Sequence, residues 1–279
     1  WAGVYPGELP ERAVGLSPQA RRVSLDVQDA GSVRQVVQEA RPDVVFHLAA
    51  VGVSDVSVAP ALALAVNAGG AVNLLEALRE QDVQRVVLVG TCYEYGARAA
   101  VEGLDPFNAY AASKVAAWAF GRMYWRAYDM PVVTVRPFQV YGPGQPKQML
   151  IPAAVAAALA GQDFAATPGE QERDFIYVDD VVEGMLAAAL APGIEGESLD
   201  LGSGVARPVR EVLNRVWELT GAEGRILYDA LPYRPGEAMH LAADAERTAR
   251  LTGWRVRVGL DEGLQRTIDW IRTTNQLTA

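Results

Sequence analysis

The residues best suited to moving a proton are Tyr110 and Lys114, in the run Tyr110-Ala111-Ala112-Ser113-Lys114 that opens a helical segment. Positions i and i+4 share one face of a helix. A phenol with a pKa of about 10 is a poor base at neutral pH. An ammonium one turn away favours the phenolate, so the pair can exchange a proton with an alcohol or sugar hydroxyl. The spacing alone is weak, because helices often carry unrelated residues four apart. Nineteen residues before Tyr110, Thr91 follows the apolar run that ends at Gly90. A hydroxyl at the C-terminal end of a parallel strand sits on the ligand edge of the sheet. It could bond the same substrate oxygen as Tyr110, or merely cap its own loop.

The elements that would hold these residues follow from hydrophobic periodicity. Residues 21–25 read as a short strand ending at Asp26, and Val33, Val36, Val37 and Ala40 follow at helical spacing, with Asp29 or Ser32 as a cap. Residues 43–50, 85–90 and 132–138 are short apolar runs of the kind found in buried parallel strands, and 60–80 and 108–127 read as helices between them. Beyond Tyr141-Gly142-Pro143-Gly144 the texture is more mixed: helix 149–161, strand 173–178, helix 179–191, strand 197–201, helix 208–221, strand 225–230, and helices near 243–252 and 260–274. The alternation predicts an α/β fold with a doubly wound parallel sheet. Residues 1–145 form its main domain, and 146–279 a smaller C-terminal mixed α/β lobe interleaved with the sheet.

Composition narrows the function classes. The 279 residues are 50% hydrophobic and carry a net charge of −9, which argues against nucleic acid or an anionic membrane as partner. Cys92 is the single cysteine, so no intrachain disulfide is possible and a cytoplasmic setting is the simplest reading. Two histidines without a cysteine cluster give no zinc site. The longest apolar run reads as 151–160, too short to span a bilayer. His47 reads as a buried strand-end residue and Asp179 as a helix N-cap.

Taken in order, several landmarks resemble one family. They are Thr91-x-x-x-Tyr95-Gly96, Tyr110-x-x-x-Lys114, Arg136-Pro137-Phe138-x-x-Tyr141-Gly142-Pro143-Gly144 and Arg173-Asp174-Phe175-x-Tyr177-Val178-Asp179-Asp180. His47-Leu48-Ala49-Ala50, Asn67-x-x-Gly70, Arg234-x-x-Glu237 and Gly253-Trp254 agree. The pattern, from about residue 21 to 272, is similar to that of the extended short-chain dehydrogenases/reductases, the NAD-dependent epimerase/dehydratase family. The resemblance implies a Rossmann-type domain that binds NAD or NADP and a lobe that binds a nucleotide sugar. It makes Thr91, Tyr110 and Lys114 the catalytic triad. It assigns Asp26, Val27, Leu48, Ala49, Ala50, Asn67, Pro137, Phe138 and Val140 to the cofactor, with Tyr110 and Lys114. It assigns Cys92, Tyr93, Gln139, Arg173, Arg234 and Glu237 to the substrate, with Thr91. Guanidinium forks suit the diphosphate, although an ordinary ion pair is the plainer reading of either arginine. It also implies a homodimer in which the helices near 60–80 and 108–127 form a four-helix bundle with a partner.

Departures from the pattern matter as much. The family opens on a G-x-x-G-x-x-G turn that receives the pyrophosphate, and this sequence contains none; Gly202-Ser203-Gly204 and Gly142-Pro143-Gly144 read as ordinary loops. Residues 1–5 read as the remnant of the second strand, with a βα unit of about 30 residues expected before them; the competing reading is a cofactor-free, non-catalytic binding protein. Family 4,6-dehydratases follow the catalytic threonine with Asp-Glu, where this sequence has Cys92 and Tyr93. A thiol and a phenol cannot replace a carboxylic acid and a carboxylate. Dehydration is therefore disfavoured, and so is decarboxylation, which uses a carboxylate at the Tyr93 position. A 4-ketoreductase and an epimerase remain. Gln139 stands where the family usually has asparagine.

Overall fold

The run Arg-Val-Val-Leu-Val makes β4 (Arg85–Val89), whose β-branched residues suit a strand buried on both faces. It pairs in parallel with β3 (Val44–His47), Val44 opposite Arg85 and His47 opposite Leu88. With β5 (Val132–Pro137) and β9 (Ser198–Leu201) they form a sheet in the order β3-β4-β5-β9. A separate parallel pair joins β1 (Ala2–Val4) to β2 (Arg22–Ser24). This computed structural model describes residues 1–4, 19–53, 57–97, 103–234 and 236–277, so Tyr5, the last residue of the segment expected as a remnant of the second strand, lies outside the described residues.

The chain divides into two compact units. The first comprises residues 1–90, 108–134 and 192–198; the second comprises 91–107, 135–191 and 199–279. In the first, α1 (Ala30–Ala40) is capped by Asp29, whose carboxylate accepts from Gly31 N at 2.9 Å and Ser32 N at 3.2 Å. Val33 and Val37 of α1 pack with Leu74, Leu75 and Leu78 of α3 (Gly70–Leu78), over Val86 and Leu88 of β4. The long helix α4 (Ala109–Tyr128) joins this core through Tyr124.

In the second unit β8 (Glu172–Tyr177) is central. Its first half lies between β10 (Ala206–Pro208), antiparallel, and β12 (His240–Leu241), parallel. Its second half pairs in parallel with β6 (Gln139–Tyr141), Gln139 opposite Phe175. Helices α5 (Leu150–Leu159), α7 (Val209–Thr220) and α9 (Leu260–Leu277) bury Val155, Leu213, Leu264 and Ile268 in its core. The parallel α/β architecture expected from the alternation is present.

Four local expectations change. The helix expected at 60–80 is α2 (Pro60–Ala63), a π-helical stretch Leu64–Gly69 and α3, ending at Leu78. Its span Pro60–Leu78 is also long and apolar enough to cross a membrane by length and composition, with a mean hydropathy of 1.5, which supersedes the shorter run at 151–160. Half of it is buried inside the unit, against α1 and α4, as in a core helix. The strand expected at 225–230 is only Ile226–Leu227, β11, because the Tyr228 hydroxyl turns to Arg210 O and Asn214 and Asp229 takes a left-handed φ of 62°. Asp179 does not cap α6 (Val178–Leu190); Tyr177 holds the cap position without a side-chain bond. Its neighbour Asp180 instead accepts from Arg257 N at 2.9 Å and Val258 N at 3.0 Å, while Asp179 faces Arg266 at 3.8 Å.

Candidate active site

In the first unit the site grows from the start of α4. Asn108 caps the helix, accepting from Ala111 N at 2.8 Å, and this sets Tyr110 and Lys114 one turn apart on a buried face, 6% and 4% exposed. Lys114 Nζ donates to the carbonyl of Val89, the last residue of β4, at 2.7 Å and lies 6.0 Å from the centre of the Tyr110 ring. Between them, Ser113 Oγ donates to Tyr110 O at 2.7 Å and accepts from Asn67 Nδ2 at 2.9 Å. Asn67 stands in the π-helical stretch, a distortion frequent at functional sites. Its amide also brackets Val51, accepting from Val51 N at 2.8 Å and donating to Val51 O at 3.0 Å.

That bracket fixes the loop after β3. The strand ends at His47 rather than Ala50, and Leu48 lies 58% exposed with Ala49 and Ala50 half-buried. Gly52 holds φ at 87°, and a Cβ there would meet Val58 at 2.6 Å and Tyr110 at 3.2 Å, so the loop passes close over the start of α4. Asp26 and Val27 lie just after β2, which ends at Ser24. Asp26 accepts from Gln28 N at 2.9 Å. Val27 packs where Gly70 lacks a side chain, a Cβ there falling 2.6 Å from Val27 Cγ2, and its carbonyl accepts from Asn73 at 2.9 Å. Asn73 was missed in the sequence; only its place one turn after Gly70 could have drawn attention to it.

His47 is buried, as expected. Burial, and then the nearby Lys114 charge, push its pKa down to about 3. Its Nε2 has no hydrogen-bond partner among the described residues. The ring is neutral at physiological pH and is not the acid of the site.

The second unit carries the residues after β4. Thr91 caps a 3₁₀ turn, Cys92–Tyr95, in an extended conformation, and Tyr93 N donates to its hydroxyl at 3.4 Å. So Thr91 does cap its own loop, accepting from Tyr93 N, and its side chain also hydrogen-bonds Cys92. Glu94 completes the capping box, its Oε1 accepting from Thr91 N at 2.8 Å. Sequence reasoning passed over Glu94, although the Thr-x-x-Glu spacing signals such a box.

Cys92 and Tyr93 are poor acids here: burial pushes the thiol up to about 12 and the phenol up to about 12. The Tyr93 hydroxyl donates to Gln139 Oε1 at 3.4 Å, and its ring stacks edge-on against Phe107. Phe138 packs with Cys92 and Tyr95, while Pro137 and Val140 flank it half-buried. Arg173 is buried, donates to Glu172 O at 2.8 Å and is ion-paired with Glu237. Arg234 is exposed, and its charge reaches Tyr93. The backbone amides of Ser203 and Gly204, in the late Gly-Ser-Gly loop, donate to Asp174, both at 2.8 Å, which makes that loop structural.

Within each unit, then, the expected residues converge. Tyr110, Lys114, Asn67 and the 48–50 loop group together in the first. Thr91, Cys92, Tyr93, Gln139, Arg173, Glu237 and Arg234 lie on neighbouring segments of the second.

Comparison with known proteins identifies the family. The family model described as NAD-dependent epimerase/dehydratase matches residues 7–202. A cattle (Bos taurus) dTDP-D-glucose 4,6-dehydratase is 31% identical over 259 residues, covering 88% of this chain and 72% of the relative. The crystal structure of a Thermotoga maritima UDP-glucose 4-epimerase with UDP-glucose superposes with a TM-score of 0.88 at 26% identity, over 93% of this chain and 87% of that one. A Thermus thermophilus UDP-glucose 4-epimerase in complex with NAD gives 0.82 at 28% identity, over 92% and 86%. The chain belongs to the NAD-dependent epimerase/dehydratase family of extended short-chain dehydrogenases/reductases, with their Rossmann-type α/β fold.

Proposed function

We propose that this chain is an NAD(P)-dependent nucleotide-sugar oxidoreductase working as a 4-ketoreductase or an epimerase on a nucleotide-linked hexose or deoxyhexose. The observation that carries this reading is the buried Tyr110–Lys114 pair, with the ammonium tied to the end of β4 at 2.7 Å. Its charge favours the phenolate of Tyr110, so the phenol can give a proton to a carbonyl oxygen or take one from a hydroxyl. The Thr91 hydroxyl would turn its proton from Cys92 to the same oxygen. NAD(P), when bound, supplies or accepts the hydride. The exposed Leu48 and the small Ala49 and Ala50 form an apolar edge suited to that flat group. Asp26 would meet its adenosine end, and Lys114 its nicotinamide ribose. In this reading residues 1–145 hold mainly the dinucleotide and 146–279 mainly the nucleotide sugar, with Arg173 and Arg234 on its diphosphate.

The choice within the family rests on the residues after Thr91. Dehydration needs an acid and a carboxylate base. Cys92 and Tyr93 hold those two places, each at about 12. The adjacent carboxylate, Glu94, is fully buried and committed to Thr91 N and Arg136. Reduction or epimerisation at C4 needs only the triad and a nicotinamide.

The test offers the protein NADH or NADPH with a panel of nucleotide-4-keto sugars and follows loss of near-ultraviolet absorbance. Stoichiometric loss identifies a 4-ketoreductase. Interconversion of sugar epimers without net loss identifies an epimerase. Formation of a 4-keto-6-deoxy sugar from a nucleotide hexose would overturn the reading. The homodimer is part of the same proposal: Leu62 and Leu64 of the 60–78 helix and Phe120 and Met123 of α4 are exposed and apolar, as a four-helix interface requires. Sedimentation of a monomer at micromolar concentration would contradict it.

A further inference from the structure

We infer that Glu94 and Arg136 are positioning residues that hold Thr91 for reaction; the inference rests on the catalytic role proposed for Thr91. Glu94 is 0% exposed. A buried carboxylate is costly unless paired and fully hydrogen-bonded, and an apolar pair of similar volume usually serves stability as well or better. Stability alone therefore gives little reason for an ion pair here, and the arrangement of its bonds points to another role.

The two oxygens of Glu94 are divided. Oε1 accepts from Thr91 N at 2.8 Å, and Oε2 from Arg136 Nε at 2.7 Å. Glu94 N donates in return to Thr91 O at 3.1 Å. The peptide on each side of the Thr91 Cα is thus fixed by one residue, while Tyr93 N engages the hydroxyl as acceptor. Arg136 is itself held: its Nη1 donates to the Tyr95 hydroxyl at 3.2 Å, which donates to Asp200 Oδ1 at 2.7 Å. Asp200 Oδ2 accepts from Asp244 N at 3.1 Å. Burial opposes the Arg136 charge, but Glu94 and Tyr95 outweigh it and raise its pKa. A charged, buried relay therefore runs from β9 and the start of α8 (Ala245–Thr252) to the backbone of one threonine. Its effect is to fix the backbone that carries the Thr91 hydroxyl, and a misplacement of about 1 Å in a reacting group can cost about a hundredfold in rate.

The experiment is a double-mutant cycle with Thr91→Ala and Glu94→Gln, read on kcat and KM with whichever nucleotide sugar the wild type turns over. Glu94→Gln keeps the shape and an acceptor but loses the charge that orients it. The expected result is a loss of about tenfold or more in kcat with KM nearly unchanged, and under twofold further loss when Thr91 is already alanine. Amide exchange at Thr91 should also quicken in Glu94→Gln. Equal losses in both backgrounds, or wild-type kcat in Glu94→Gln, would overturn the inference. Wild-type kcat in Thr91→Ala would instead sink the underlying role of Thr91. Should Glu94→Gln not fold, Glu94→Leu with Arg136→Met removes both charges together. That pair should retain the thermal midpoint and still lose kcat; retained kcat there would likewise overturn the proposal.

Discussion

The two units handle buried charge in opposite ways. In the first, the Lys114 ammonium bonds a neutral carbonyl, and its potential reaches His47, which is held neutral. In the second, the Arg136 guanidinium meets the Glu94 carboxylate directly, and the surrounding bonds neutralise the pair. The Lys114 field, which reaches His47, can act on a nearby phenol as well. A cation spent on an anion gives up its field and gains geometry. In the proposed reading the first arrangement serves proton transfer and the second positioning.

The largest expected effect breaks the first arrangement. Tyr110→Phe removes the proposed proton carrier, so kcat should fall by about 10²–10⁴. Folding should be intact, because phenylalanine keeps the buried ring and deletes one oxygen. Circular dichroism together with steady-state turnover checks both halves, and near-wild-type turnover would dissolve the contrast between the units.

Next in size is Arg136→Met, which breaks the second arrangement from one side. Glu94 would remain buried without its counter-charge. A cost of about 3–5 kcal/mol is expected, measured by urea unfolding. A loss below about 1 kcal/mol would mean that the pair is solvated or compensated, contrary to its burial.

The unequal legibility of the two units in the sequence has the same physical origin. Tyr110 and Lys114 lie four residues apart, Asn67 and Gly70 three, so local spacing alone places each pair on one helix face. The fold class was legible for a related reason: apolar runs such as 85–90 and 132–138 alternate with helical periods. The second unit's relay joins Glu94 to Arg136 and Tyr95 to Asp200, across 42 and 105 residues. No periodicity encodes such contacts, and Glu94 read as one more residue of a loop. The Asp179 expectation failed similarly: two adjacent aspartates were available, and the backbone amides of Arg257 and Val258 decided which was used. The break after Leu227 depended on Tyr228 finding Arg210 and Asn214 on α7.

A third prediction sharpens the picture of the first unit through pH. His47 titrates near 6.5 when unfolded and at about 3 when folded. Below pH 6.5 the unfolded chain therefore binds the extra proton, and stability falls as pH drops toward 3. The slope is at most about 1.4 kcal/mol per pH unit. His47→Gln should flatten the stability profile between pH 6.5 and 4 relative to wild type, other groups contributing equally to both. Lys114→Met should raise the His47 pKa followed by NMR, because it removes the second cause of the depression. Identical pH profiles for wild type and His47→Gln would show that Lys114 and burial do not act on this ring.

The smallest effect concerns Tyr93, the phenol standing where the family's dehydratases have a carboxylate. Its hydroxyl makes one long bond, 3.4 Å, to Gln139, while its ring keeps the edge contact with Phe107. Tyr93→Phe retains the ring and deletes only the hydroxyl, so stability should change by about 0.5–1.5 kcal/mol or less. The Gln139 amide would lose the bond that orients it, and KM for the nucleotide sugar should rise a few-fold with kcat held. That split separates a substrate-binding phenol from an acid. A fall in kcat with unchanged KM would mean that Tyr93 acts on the reacting centre, and that the second unit supplies chemistry as well as geometry.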